Sequence, residues 1–382
     1  MISDSIKTVW SEIDGSCEAC HGPAFGHIEW ANSKPANASD NSKGFSFVFD
    51  ERKDIHWKID SESGNAVRSL SRDSNKEIEV CAQCHSRRSP ISDDYVAGEK
   101  FSDHYVPRLL DDNMYYADGQ ILDEVYVYGS FLQSKMFHKG VTCSDCHEPH
   151  SLELRQDGNG VCLQCHAAER FDSKRHHFHD EASTGAQCVE CHMPARNYMV
   201  VDPRRDHSIR VPRPDLSVTL GLPNACNQCH QDKDADWSDG HVKKWYGKSS
   251  AGYQSFAETI DAARSDKARA GELLEKQIRS LATPDIARAT AMTLLPAYLD
   301  QSNIDLLQQG LKDDSDLVRH ASLTALYGLP PALVVQLAFP LLDDPVRSVR
   351  SEAARVLAPV KPGQLNDEQS DIFNSAVQEY ID

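Results

Sequence analysis

Two kinds of patterning divide the chain. Beyond residue 250, Ala and Leu recur at helical spacing and cysteine vanishes. A 31-residue repeat runs through this part: Arg288, Arg319 and Arg350 align, as do Leu295, Leu326 and Leu357, and Leu311 aligns with Leu342. Loops rich in Asp and Pro (Thr283-Pro-Asp, Asp313-Asp-Ser-Asp, Asp343-Asp-Pro) precede one helix of each repeat. Residues 1 to about 240, by contrast, are rich in Gly, Pro, Asp, Asn and Ser and keep little periodicity. Within them Phe45-Ser-Phe-Val-Phe49 and Ile121-Leu-Asp-Glu-Val-Tyr-Val-Tyr128 read as short extended pieces.

Paired helices at this period, capped by Asp and Pro, describe an α-solenoid of the HEAT type, on the short side for that class. The expected fold is mainly α with much irregular structure, divided into residues 1–245 and a helical-repeat part, 250–382. The first part lacks the apolar pattern to build a core from its own side chains, so something else must supply one.

Composition names that something. The chain has 382 residues, 40% hydrophobic and 26% charged, which is ordinary for a folded protein and excludes wholesale disorder. No apolar run approaches the length of a membrane span. A formal charge of −18, from 40 Lys and Arg against 58 Asp and Glu, excludes a nucleic-acid-coating role. The 12 Cys and 17 His are far from ordinary.

Every cysteine belongs to one pentapeptide, C-x-x-C-H: Cys17–Cys20–His21, Cys81–Cys84–His85, Cys143–Cys146–His147, Cys162–Cys165–His166, Cys188–Cys191–His192 and Cys226–Cys229–His230. Chance would supply roughly 0.02 copies, and the pattern is that of c-type haem attachment. Two thiols at this spacing add to the two vinyl groups of one porphyrin edge, and the adjacent histidine presents its imidazole to the iron. Zinc ribbons would leave the six histidines unexplained, and a thioredoxin-like pair needs a βαβ context that is missing. Six haems c, with His21, His85, His147, His166, His192 and His230 as proximal ligands, are therefore expected. The porphyrins themselves then serve as the missing core of the first part.

Eleven further histidines can supply second axial ligands. His150, in Cys146-His147-Glu-Pro-His150, His27, in a similar turn after the first motif, and His207 are the foremost candidates. The cluster His176-His177-Phe-His179 offers one or two, taken here as His177 and His179; His104 and His138 complete the set, with His56 behind them. His241 and His320 read as ordinary solvated residues. Arg204, Arg205, Arg210 and Arg213 suit haem propionates better than a substrate anion, and Tyr115, Tyr116, Tyr126 and Tyr128 suit packing against porphyrin. No methionine stands out as a ligand.

The stretches Trp10–Pro23, Asp118–Ser130, Val141–Ser151, Gly185–Pro194 and Asp202–His207 resemble a family of multihaem c-type cytochromes often fused to HEAT or tetratricopeptide repeats. The resemblance covers about residues 8 to 240. It extends more loosely to the hydroxylamine-oxidoreductase and pentahaem nitrite-reductase group through C-x-x-C-H-x-P-H and C-x-x-C-H-M-P. It implies electron transfer outside the cytoplasm, in the periplasm or at the cell surface, with His-rich ligation and redox proteins as donor and acceptor. Members usually carry more N-terminal motifs, so the chain begins partway into the family pattern; its first residues read as no export signal, which is expected upstream. The C-x-x-C-K variant of nitrite reductases is absent. An electron carrier with mostly bis-histidine haems is the primary expectation. The alternative is an oxidoreductase acting on a small nitrogen or sulfur compound at one open-faced haem. The helical repeats would offer a docking surface to a partner protein.

Overall fold

The structure, a computed structural model, describes residues 17–33, 42–249, 251–361 and 363–381. Part of the first resemblance stretch, Trp10 to Ser16, lies outside them. The described chain is mainly helical with little strand.

Up to about residue 230 the helices are mostly of four to ten residues. Strands occur as four two-stranded antiparallel hairpins, with Trp57 opposite Arg68, Arg88 opposite Pro107, His147 opposite Leu154 and Ala195 opposite Arg205. The expected extended pieces are not among them. Phe45–Phe49 is an irregular segment whose Phe45 ring stacks on His27 at 4.2 Å between centroids. Ile121–Tyr128 makes only isolated bridges, from Ile121 to Tyr115 and from Tyr126 to Ser86, before turning into a helix at Tyr128. Aromatic and β-branched residues signalled strand in both, but neither finds a partner strand to complete a ladder.

Two apolar cores are present among the described residues. One lies wholly within Leu274–Ala376. The other joins Leu110, Tyr115, Ile121, Val125 and Leu132 to Leu216 and to Phe256, Ile260 and Ile286, so it draws on both sides of the expected boundary. Tyr115 is 1% exposed at its centre, packed in protein instead of being held out for a porphyrin. Neither core takes a residue from the first hundred positions, where Phe25, Ile28, Val67 and Leu70 are each more than half exposed. A segment that leaves its large apolar side chains uncovered needs an apolar partner.

Past residue 250, equivalent helices of successive repeats pack on one another, Asp285–Leu294 on Asp316–Thr324 and that helix on Arg347–Leu357, which also packs on Asp367–Ile381. The aligned arginines do the same job in each turn. Arg319 donates to the Asp313 carbonyl of its own loop (2.8 Å) and to both carboxylate oxygens of Asp344 in the next (2.8 and 3.0 Å). Arg288 grips Asp313 in the same bidentate way, and Arg350 pairs with Glu379 on the helix Asp367–Ile381. Three polar contacts tie the segment around residue 100 to this array: Asp103 accepts from the Arg347 backbone (2.7 Å), Asp94 meets Arg347 (3.4 Å), and Lys100 meets Asp316 (3.1 Å).

Candidate haem-binding sites

The motifs lie on or at the ends of short helices: Cys17–His21, the end of Lys76–His85, Cys143–Cys146, Gly160–Leu163, Cys188–His192 and Ala225–Cys229. One helical turn sets the two cysteines on the same side, as bonding to one porphyrin edge requires. Asn224 caps one of these helices by accepting from the Asn227 N–H, and Thr142 and Asp145 cap another reciprocally.

Consecutive motifs adjoin in space. The Cys143 thiol donates to Cys81, which pulls Cys81 down and pushes Cys143 up; Cys188 and Cys162 form a second such pair. Cys20 lies near enough to Cys81 and Cys84 to be raised by them, after burial, and the same holds for Cys146 beside Cys165 and for Cys191 beside Cys226 and Cys229. Each motif therefore lies near the next in sequence order.

Four motif histidines each face another imidazole. Ring centroids lie 6.0 Å apart for His21 and His150, 6.4 Å for His147 and His207, 6.1 Å for His192 and His176, and 6.2 Å for His230 and His179. The first three pairs are tilted by only 4°, 24° and 11°. Nearly parallel rings in direct face-to-face contact would sit roughly 4 Å apart. Two metal–nitrogen bonds of about 2.0 Å, with roughly 1.1 Å from each nitrogen to its ring centre, give about 6.2 Å. The separations fit a metal held between the rings.

The ring nitrogens fit as well. His192 Nδ1 lies 2.7 Å from the Arg210 carbonyl and His207 Nδ1 3.0 Å from the Arg205 carbonyl; His179 Nδ1 faces the His177 carbonyl. A carbonyl only accepts, so Nδ1 carries the proton and Nε2 keeps its lone pair for a metal. Asn65 Oδ1 holds His166 Nδ1 in the same manner at 2.8 Å. Burial lowers the pKa of His21, His85, His147, His166, His176, His192 and His207, with neighbouring imidazoles adding to it at His21, His147, His166, His176 and His207. The neutral form is the one that binds iron.

Other histidines are placed differently. His176 takes the place given above to His177, whose Nδ1 accepts the His179 backbone N–H at 3.2 Å. That bond puts the His177 proton on Nε2 and leaves no lone pair there. His104 lies between two carboxylates, with Nδ1 3.2 Å from Asp94 and Nε2 3.0 Å from Glu99, and faces no motif histidine among the described residues. His27 stacks between Phe45 and Trp30 with Nδ1 on the Lys43 carbonyl, and His138 lies against Phe137 and Tyr253; neither faces a motif histidine. His56 is exposed. His241, bonded to the Trp237 carbonyl, and His320, beside Glu352, are half-buried instead of solvated. Among the described residues no imidazole stands opposite His85 or His166 at such a separation.

The arginines expected at propionates already have carboxylates. Arg210 is buried against Asp118 at 3.2 Å, Arg205 meets Glu190 at 2.6 Å, Arg213 grips Asp215 at 2.7 and 2.8 Å, and Arg204 meets Asp202 at 2.5 Å. Unforeseen in the sequence is a pocket of about 460 Å³ beside the second motif, lined by Cys84, Arg87, Arg88, Arg108 and Tyr126.

Residues 135–171, which hold the third and fourth motifs, match the family model of the doubled CXXCH motif. Among solved structures, the outer cell wall cytochrome OcwA aligns over 81% of this chain and 69% of its own, at 17% identity and a TM-score of 0.40. No curated protein matches the chain. No described helix is long and apolar enough to cross a membrane. The doubled-motif match, with the repeated pentapeptide, supports a multihaem c-type cytochrome.

Proposed function

We propose that the chain carries electrons through six covalently attached haems c, four of them between two imidazoles. The four facing pairs of rings at 6.0–6.4 Å carry this reading. Haem iron with two imidazole ligands exchanges one electron and binds no substrate. The protein's part is to fix His150, His179, His192 and His207 through their Nδ1 hydrogen bonds, and to keep successive attachment points near one another so that electrons have a continuous path. Residues 1–245 form the haem unit in this reading. Residues 250–382 form a HEAT-type solenoid that braces it and offers a surface to a redox partner. Covalent haem attachment takes place outside the cytoplasm, so we assign the protein there, and the charge of −18 favours a partner with a basic face.

The test is the mass of the purified protein together with its reduced spectrum. Six haem increments with sharp α and Soret absorption are expected; a colourless product from a strain competent in haem attachment would refute the assignment.

One observation favours a second reading. Among the described residues no imidazole faces His85, and beside its motif lies the pocket lined by three arginines and Tyr126. An oxidoreductase acting on a small oxyanion would need such an iron and such donors.

A further inference from the structure

Two tetrapeptides supply three of the four imidazoles that face motif histidines, one from the first and two from the second. His147 belongs to the third motif and faces His207, whereas His150, three residues on, faces His21 of the first motif. His176 faces His192 of the fifth motif, and His179, again three residues on, faces His230 of the sixth. We infer that His147–His150 and His176–His179 each ligate two different irons, bracing the first haem to the third and the fifth to the sixth. This rests on the haem reading above and deepens it.

The local backbone is built for the divergence. His147 and Glu148 are extended and paired with Glu153–Leu154, and Pro149 then turns the chain. Glu148 reaches back to hold His150 Nδ1 at 3.2 Å while Arg155 holds Glu148 at 3.3 Å. In the second tetrapeptide, Phe178 at φ 58° ends the helix Lys174–His177 and reverses direction. Its ring lies flat on Trp245, centroids 4.6 Å apart, which over-determines the strained residue. His177 spends its carbonyl and its Nδ1 on orienting His179, so it is a positioning residue. A Cβ at Gly185 would collide with the His179 ring, so only glycine fits there. Three residues span at most about 11 Å, so two irons held from one tetrapeptide stay close whatever else moves.

The wild-type haem count by mass is taken first, which judges the haem reading separately. His150→Ala is then expected to convert one haem of six from low to high spin in electron paramagnetic resonance. In a Cys17→Ala/Cys20→Ala background, which lacks the first haem, the same substitution is expected to change nothing. The effects of His176→Ala and His179→Ala should vanish in Cys188→Ala/Cys191→Ala and Cys226→Ala/Cys229→Ala backgrounds respectively. A high-spin signal from His150→Ala that persists without the first haem would overturn the bracing. Should a background lose all its haem, His150→Met in the full protein decides. One haem should keep low spin with a raised potential and a thioether–iron absorption; no altered haem in that variant counts against the inference.

Discussion

Asn65 Oδ1 stands 2.8 Å from His166 Nδ1, and the backbones of the two residues form an isolated bridge. The amide oxygen takes the imidazole proton, fixing the ring's orientation and adding electron density to the nitrogen that faces the iron. Asn65→Asp strengthens that donation with a full charge. The potential of one haem is expected to fall by roughly 50 mV, about 1 kcal/mol for one electron. Asn65→Ala should raise it and broaden the line of that haem. Spectroelectrochemical titration of both variants against wild type checks the sign, and a shift upward in Asn65→Asp would exclude the role.

The arginine ladder of the helical part is a stability device. Arg319 and Asp344 are both largely buried, and each satisfies further partners, Arg319 on the Asp313 carbonyl and Asp344 on the Val346 N–H. Arg319→Ala leaves a buried carboxylate alone and is expected to cost about 3 kcal/mol. The double change Arg319→Leu/Asp344→Leu removes both charges and should cost less than either single one. Thermal melts followed by circular dichroism measure this, while the haem absorption of the folded variants should match wild type.

How much of this was readable beforehand follows from how local each constraint is. Haem attachment is covalent chemistry within five residues, so Cys143–His147 states it outright. The aligned Arg288, Arg319 and Arg350 were equally plain, because one helix-to-loop contact recurs at one spacing. Second ligands are another matter: His150 and His21 meet only through the tertiary fold. His176 prevails over His177 because of one left-handed residue, Phe178, which no composition rule foretells. His104 looked like a ligand for want of any sign that Asp94 and Glu99 close on it.

Glu79 confers a pH dependence. Burial raises its carboxyl to about 7, against the usual 4.5, and the nearby Asp316 adds to the rise while the Phe101 N–H opposes it. An acid whose pKa is raised on folding favours the folded state in its protonated form. Its contribution is complete below pH 4.5 and fades as pH climbs to about 7, on the order of 3 kcal/mol in all. Glu79→Gln, which keeps the shape without the charge, is expected to raise the melting temperature at pH 8 and to leave it nearly unchanged at pH 4.5. Equal effects at both values would remove Glu79 as the cause.

The irons beside His85 and His166 should differ from the other four in what they admit. No imidazole among the described residues faces either ring, whereas His150, His176, His179 and His207 face the other four motif histidines. A small exogenous ligand such as cyanide is therefore expected to bind up to two haems per chain rapidly and leave four unaltered, read as a shift in the Soret band with defined stoichiometry. The two should also part from one another by charge. Arg87, Arg88 and Arg108 surround the pocket beside the second motif, and Arg204 lies near enough to His85 to depress its protonation. His166 has an uncharged amide, Asn65, and the ring of Phe171 as close neighbours instead. An anion such as azide should favour the His85 iron, and Arg87→Ala/Arg108→Ala should weaken that binding about tenfold, or 1.4 kcal/mol, while binding of neutral imidazole stays the same. If all six haems resist every added ligand, the His85 and His166 irons have second axial ligands, and the carrier reading gains over the oxidoreductase.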